Sequence, residues 1–183
     1  MRIGILYYFT FLATAMLLSS CEFQCKLGAK SKDESTVEKL PAQKDGALVY
    51  NDIKVETHKV QLKKAWLMKE EGTRLAEGNF VDFPATVKLI LELGEGWQLK
   101  GQRVFLGISE IITDEYENEL LNEKDLFANN TAGFTEEDAR IVGISASIKL
   151  NEDAAPTSFK VFFKVWDKNS EAYVEGSYSL FSK

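Results

Sequence analysis

Acidic side chains are concentrated in one stretch of this 183-residue chain, between Glu110 and Asp138. Hard cations such as Ca²⁺ take six to eight oxygen ligands, and clustered carboxylates on a loop supply oxygens of this kind. The candidate ligands lie close together along the chain: Asp114, Glu115, Glu117 and Glu119. Their order does not match an EF-hand loop, and a solvated acidic rim accounts for the same composition. We therefore predict no cofactor and keep calcium as the weaker alternative.

Catalytic side chains are scarce. His58 is the only imidazole, so metal sites built on two or three histidines are excluded and any serine–histidine–aspartate triad must run through it. The stretch Gly143-Ile144-Ser145-Ala146 does not form a nucleophile elbow. Carboxylates are abundant, but no pair stands out as the acid and base of a glycosidase. We predict that His58 is an exposed residue at a strand end and that the protein is not an enzyme.

Trp97 follows the turn-like sequence Gly94-Glu95-Gly96 and is the third candidate. An exposed aromatic ring on a loop stacks on a sugar ring or anchors a partner protein. The alternative is that the indole covers one end of the fold. Trp97 is therefore the possible ligand contact that the sequence offers.

The overall charge excludes one class of function. Lysine and arginine number 22 against 28 aspartates and glutamates, which gives a net charge of −6. Sequence-independent binding to nucleic acid requires a basic surface, so we predict no nucleic-acid partner. The length suits one domain with a core of its own.

The N-terminus has the layout of a secretory signal. Arg2 precedes an apolar run from Ile3 to Leu18, and this run is shorter than the roughly 20 residues of a membrane-spanning helix. The run ends in Leu18-Ser19-Ser20-Cys21, which resembles the lipobox of bacterial lipoproteins. The resemblance implies cleavage between Ser20 and Cys21 and attachment of diacylglycerol, with palmitate-type acyl chains, to the Cys21 sulfur. It covers only the first 21 residues.

Three segments follow from this interpretation: a signal peptide over 1–20, a lipid-anchored tether over 21–45 and a domain over 46–183. The tether is rich in Lys, Ser, Asp and Glu and has little apolar surface to bury, so we expect it to be flexible. Cys25 lies in this segment and has no intramolecular partner after processing, because Cys21 is the only other cysteine.

Within the domain, apolar residues recur at every second position, which is typical of strands with one solvated face. Three stretches show the pattern most clearly, namely 59–68, 85–93 and 158–167. The first is expected to bury Val60, Leu62, Trp66 and Met68 on one face. Further strands are predicted at Ala47–Val55, Gln102–Ile112, Ile141–Leu150 and Ala172–Phe181. The alternation lapses from Asn118 to Arg140, where a helical turn over 123–127 and a capping box over 135–138 are expected.

About seven strands joined by short turns predict an all-β domain, an antiparallel immunoglobulin-like β-sandwich. A ligand-holding β-barrel is the structural alternative. We expect a lipid-anchored protein of the bacterial cell envelope, at the outer membrane by preference, with its domain in the periplasm or at the cell surface. Its predicted role is binding another envelope protein or an extracellular ligand. The alternatives are an envelope hydrolase using a carboxylate pair and a carrier of a small apolar ligand inside a barrel.

Overall fold

The computed structural model describes residues 42–44, 46–150 and 157–183. The predicted signal peptide, the lipobox-like residues Ser20 and Cys21, and most of the predicted tether with Cys25 lie outside these residues. The described chain contains eleven strands and one short 3-10 helix: β1 Ala42–Lys44, β2 Ala47–Val49, β3 Lys54–His58, β4 Leu62–Lys69, β5 Phe80–Val81, β6 Ala85–Leu93, β7 Leu106–Thr113, β8 Glu119–Glu123, the 3-10 helix Asp138–Arg140, β9 Ile141–Ile148, β10 Ser158–Asp167 and β11 Tyr173–Ser182. Within the described ranges, no helix has the length and hydropathy that a membrane span requires.

The strands form two sheets in a sandwich-like arrangement. Sheet A has the order β1-β2-β4-β6-β9, and sheet B has the order β3-β11-β10-β7-β8 with β5 added beside β11. Most neighbours are antiparallel, but β2 pairs with β4 and β5 pairs with β11 in parallel. The prediction of an all-β sandwich is confirmed, and the described strands exceed the predicted seven.

The core lies between the two sheets and is built from alternate residues of the long strands. In β6 the side chains of Val87, Leu89, Leu91 and Leu93 are at most 1% exposed. The alternate residues of β10 from Phe159 to Val165 are likewise buried. Full burial of each such side chain contributes about 1.5–3 kcal/mol. The faces predicted for 85–93 and 158–167 are confirmed.

Strand β4 departs from its predicted face. Val60 and Leu62 are buried as expected, but the pairing with β6 is irregular between Leu62 and Lys64. A bulge of this kind adds one residue to a strand and reverses which positions point inward. Beyond it the buried residues are Ala65 and Leu67, whereas Trp66 and Met68 are only half-buried on the opposite face. The prediction that Trp66 and Met68 point into the core is therefore wrong.

The predicted strand Ala47–Val55 is divided in two by a sharp corner at Asn51, whose φ is 59°. Asn51 is 1% exposed, and its amide donates to the Leu75 carbonyl at 3.0 Å and accepts from the Leu67 N–H at 2.9 Å. Asn79 donates to the Asn51 carbonyl at 2.8 Å. Buried polar groups require such partners, so this corner is fixed where the chain crosses from sheet A to sheet B.

The long connection between β7 and β9 contains one more strand than predicted. Glu123 ends β8, so the predicted helical turn over 123–127 is replaced by a strand end and a turn at 126–129. The Asp125 carboxylate pairs with Lys168 at 2.7 Å. The Thr135 hydroxyl accepts from the Asp138 N–H at 3.0 Å, which is one of the two bonds of a capping box. Glu137, which directly precedes the 3-10 helix, makes no side-chain cap bond. These contacts hold the connection against the sheets.

Candidate functional site

The outer face of sheet B carries the clearest candidate site. The strand registers place two neighbouring rows of outward side chains across β3, β11, β10 and β7. The first row is Lys54, Ser177, Phe162 and Ile111, and the second is Glu56, Glu175, Lys164 and Ser109. Residues that are far apart along the chain therefore form one continuous surface.

These two rows line an open depression of about 660 Å³. The two apolar side chains of these rows are Phe162 and Ile111, and Phe162 keeps 38% of its surface exposed. Buried apolar residues also line the depression, namely Val49, Ile53, Val55 and Phe163. Ser177 lies beside Phe162 and is only 9% exposed. A concave surface with an apolar floor and a few polar groups is the usual form of a site for a small ligand or a side chain.

Charged groups are arranged around this floor in an ordered way. The Lys164 ammonium pairs with the Glu175 carboxylate at 2.8 Å and lies 4.2 Å from the centre of the Tyr173 ring. The Lys160 ammonium lies 4.7 Å from the centre of the Phe162 ring. Cation–π and ion-pair contacts of this kind orient long side chains. A ligand that lies on Phe162 thus has cationic groups on both sides of it.

Glycine at 176 allows the strands beneath the depression to approach closely. A side chain at Gly176 would collide with the Lys54 carbonyl and would come within 2.9 Å of the Phe163 ring. The Phe163 ring fills the inner side of the sheet at this point and is 3% exposed. The absence of a side chain at Gly176 therefore lets β3 lie close against β11 and complete the surface.

A buried ionisable pair lies on the inner face of the same sheet. Glu110 and Tyr178 are each 2% exposed, and neither the Glu110 Oε1 atom nor the Tyr178 hydroxyl has a hydrogen-bond partner within the described ranges. Burial, with a smaller effect from the Glu123 charge opposite, raises the pKa of Glu110 to about 7. Burial and the nearby Glu110 also raise the pKa of Tyr178. Glu110 was predicted only as one acid of the 110–138 cluster, so its burial is new.

Trp97 lies away from this depression. Its ring is half-buried against the core, and its indole N–H donates to the Ala139 carbonyl at 3.3 Å. The next residue, Gln98, donates its N–H to the buried Asp167 carboxylate at 2.6 Å. Trp97 therefore covers one end of the fold, which is the alternative that the sequence left open.

The acidic candidates for calcium lie at and after the β7–β8 turn. The Asp114 carboxylate accepts from the N–H groups of Tyr116 and Asn118 and from the Asn118 amide at 2.8–2.9 Å. The contacts from Asn118 lower the pKa of Asp114. Glu119 accepts from Asn122 at 2.9 Å. In the part of the chain that the structure describes, no group of three or more histidines, cysteines or acids is close enough to hold a metal ion.

His58 ends β3 and is exposed, as predicted. Its ring stacks on Tyr173 with the ring centres 5.4 Å apart. The imidazole thus lies on the outer face of sheet B, one row beyond Glu56 and Glu175. This position extends the aromatic part of the face.

Sequence reasoning missed the depression, although a signal for one half of it was present. Phe162 lies between Lys160 and Lys164 on the outward face of a strand whose inward positions are already apolar. A phenylalanine at a solvated position indicates a contact surface. The other half, Ile111, becomes its neighbour only through the order of strands in sheet B.

No protein-family model matches this chain, and a search of curated proteins finds no significant match. The class that the structure defines is therefore a two-sheet sandwich with an open, partly apolar site on one outer face.

Proposed function

We propose that this protein is a binding module of the bacterial cell envelope, anchored by lipid at Cys21 and carrying its ligand site on the outer face of sheet B. The observation that carries the proposal is the open depression of about 660 Å³ over Phe162 and Ile111. Phe162 is exposed on this floor, and an open concave surface with an apolar floor and polar groups around it is the usual form of a ligand site. In this proposal the module binds its partner and does not catalyse a reaction on it.

The chemistry of the depression indicates the kind of ligand. An apolar group of the ligand lies on Phe162 and Ile111, and its polar ends meet the charged side chains Lys54, Glu56 and Lys164. A side chain or short segment of another envelope protein, or a small extracellular ligand, has this composition. The site opens at the surface of a sheet, which favours an interaction module over a carrier that encloses its cargo in a barrel.

The anchor part of the proposal rests on the lipobox at Leu18-Ser19-Ser20-Cys21. Lipidation at Cys21 would hold the domain at a membrane, the outer membrane by preference, with the domain in the periplasm or at the cell surface. The tether between the lipid and the first strand would let the site reach a partner at some distance from the bilayer.

The finer fold assignment that we propose is immunoglobulin-like. In immunoglobulin domains strands B and E share one sheet, while C, F and G share the other. Strands β6 and β9 pair in sheet A, and β7, β10 and β11 are neighbours in sheet B. The hairpin β7–β8 also corresponds to the C and C′ strands of variable-type domains. This correspondence supports the assignment.

The site is tested by photo-crosslinking in living cells that make the full-length chain. A benzoylphenylalanine residue placed at position 162 is expected to give a discrete adduct on illumination. The matched control is position 181, because Phe181 has the same 38% exposure and also lies on the outer face of sheet B, outside the depression. A second change at the floor, Ile111→Glu, is expected to remove the adduct. Equal adducts from positions 162 and 181, or none from 162, would overturn the proposed site.

A further inference from the structure

Strand β9 is a sheet edge that, among the residues that the structure describes, has no covering strand. It is eight residues long, carries no charged residue and no proline, and pairs with β6 over eight consecutive residues without a register shift. In the described part of the chain it has one neighbouring strand, so its other side presents free N–H and C=O groups. A long, regular, uncharged edge of this kind is a template for pairing with another strand.

The other sheet edges in the described ranges are protected in the usual ways. Strand β1 has only three residues and ends in Lys44. Strand β8 carries Glu119 and Glu123 and has an irregular register with β7. Strand β3 places Lys54 and Glu56 outward. Short length, charge and bulges all prevent strand addition. Among the described edge strands, β9 is the one without short length, charge or a bulge, which indicates that it pairs with a further strand.

We propose that β9 pairs in antiparallel fashion with β9 of a second copy of this chain, around a two-fold axis at Ser145. Residues opposite each other in a sheet share a face, so the register must keep inward residues opposite inward residues. The axis at Ser145 places Val142 opposite Ile148 of the second copy and Ile144 opposite Ala146. All four are at most 6% exposed and point into the core. The pairing therefore joins the two apolar rows into one.

The outward residues fit the same register. Ile141 is 63% exposed, the highest value for any aliphatic side chain in the described core strands. The axis at Ser145 places it opposite Lys149 of the second copy, whose methylene groups can cover it while the ammonium reaches solvent. Gly143 and Ser147 meet at the remaining outward positions, where both side chains are small.

Charge also favours a second copy in this orientation. The chain carries a net charge of −6, so two copies repel each other over most of their surfaces, and an uncharged strand is where they can approach. Glu137 and Asp138 lie shortly before β9, and Lys149 follows it. Arg140, directly before β9, is paired with Glu136 of its own copy at 3.4 Å. An antiparallel pair brings Lys149 of each copy near the acids of the other. A symmetric contact of this type closes on itself and gives a dimer, not a fibre.

The test is site-specific disulfide formation in the full-length chain in its membrane, in a Cys25→Ser background. Ser145→Cys places two thiols opposite each other at the axis, where Cα atoms are about 5 Å apart and a disulfide fits. The matched control is Ser147→Cys, an exposed serine on the same face of the same strand. Its two copies are about 13 Å apart, because they lie four residues out of register. Oxidation is expected to give at least about tenfold more covalent dimer from Ser145→Cys.

A second measurement guards against distortion by the cysteines. Two differently tagged full-length copies are expected to co-purify from the same cells, and Ser145→Asp in both is expected to reduce recovery by about tenfold, because it places two carboxylates at the axis. Lys88 lies beside position 145 on β6 and can pair with the new carboxylate, so each copy keeps its fold. Ser145→Thr, a good strand former, is expected to leave recovery unchanged.

Three results would overturn the inference. The first is equal covalent dimer from Ser145→Cys and Ser147→Cys, since this indicates random collision. The second is adducts of other masses without a covalent dimer, since a different protein would then occupy the edge. The third is unchanged co-purification of Ser145→Asp.

Discussion

Replacement of Glu110 by glutamine should stabilise this protein at alkaline pH and leave it nearly unchanged at acidic pH. Glu110 is 2% exposed on the inner face of sheet B, and its Oε1 atom has no hydrogen-bond partner among the described residues. Burial is the main reason that its pKa rises from 4.5 to about 7, and the charge of Glu123 adds to it. The folded protein therefore holds this proton more tightly than the unfolded chain does.

The sign and size of the effect follow from this difference. The full stability is present below pH 4.5, is lost progressively as the pH rises towards 7, and stays at its lower level above that value. A rise in pKa from 4.5 to about 7 corresponds to about 3 kcal/mol in the free energy of unfolding. Glutamine resembles the protonated acid in shape and has no charge, so the variant should avoid this loss.

The assay is urea unfolding of wild type and Glu110→Gln at pH 4.5 and pH 8, followed by tryptophan fluorescence. We expect the variant to exceed wild type by about 3 kcal/mol at pH 8 and by less than about 1 kcal/mol at pH 4.5. Glu123→Gln is the matched control, since it removes one negative charge from an exposed residue opposite Glu110. Its effect should be less than a third as large. An equal gain in the free energy of unfolding at both pH values, or no gain at pH 8, would refute the assignment of a buried carboxyl with a raised pKa.

Two further predictions concern the chain corner and the anchor. Asn51→Ala should lower the free energy of unfolding by about 2–3 kcal/mol, because it leaves the Leu67 N–H without its acceptor and places a residue with a Cβ but no polar group at φ 59°. Asn51→Gly tolerates that φ and should lose less stability. Equal losses from both variants would contradict the backbone part of this reasoning. Cys21→Ala should leave an unacylated precursor that no longer partitions into a detergent phase, whereas the control Cys25→Ala should partition normally. Normal partitioning of Cys21→Ala would contradict the lipoprotein proposal.

The sequence was informative wherever a strand is regular and buried on one side only. The faces of 85–93 and 158–167 were predicted because no bulge interrupts them, and each inward position is apolar except Asp167 at the end of the second stretch. The same rule failed after Lys63, since one bulged residue moved Trp66 and Met68 to the outer face. A bulge leaves no mark in composition, so alternation alone does not locate it.

Strand β8 was missed for a different reason. Its sequence, Glu119 to Glu123, begins and ends with a charged residue and is mostly exposed, and its place in the fold comes from pairing with β7. Tertiary context of this kind overrides local preference at sheet edges. Glu110, in contrast, could have been identified, because it shares its parity with the buried residues Ile108 and Ile112 in a single strand.

The candidate site was beyond sequence reasoning because the two apolar residues on its outer rows come from different strands. Phe162 and Ile111 lie 51 positions apart and become neighbours through the β7–β10 pairing alone. Predicting that pairing requires the strand order of the whole sheet, which local patterns do not contain. What the sequence does contain is the anomaly of a phenylalanine between two lysines on a solvated face.

The two proposed surfaces lie on different sheets, and this separation has a functional consequence. The ligand depression belongs to the outer face of sheet B, while the proposed dimer forms at the β9 edge of sheet A. No residue is shared between them, so pairing of two copies leaves both depressions free. If both proposals hold, a dimer held at one membrane presents two equivalent sites, and a partner with repeated binding segments would gain avidity without any new contact. Weak binding at each shallow, open depression is therefore compatible with firm attachment of the whole assembly.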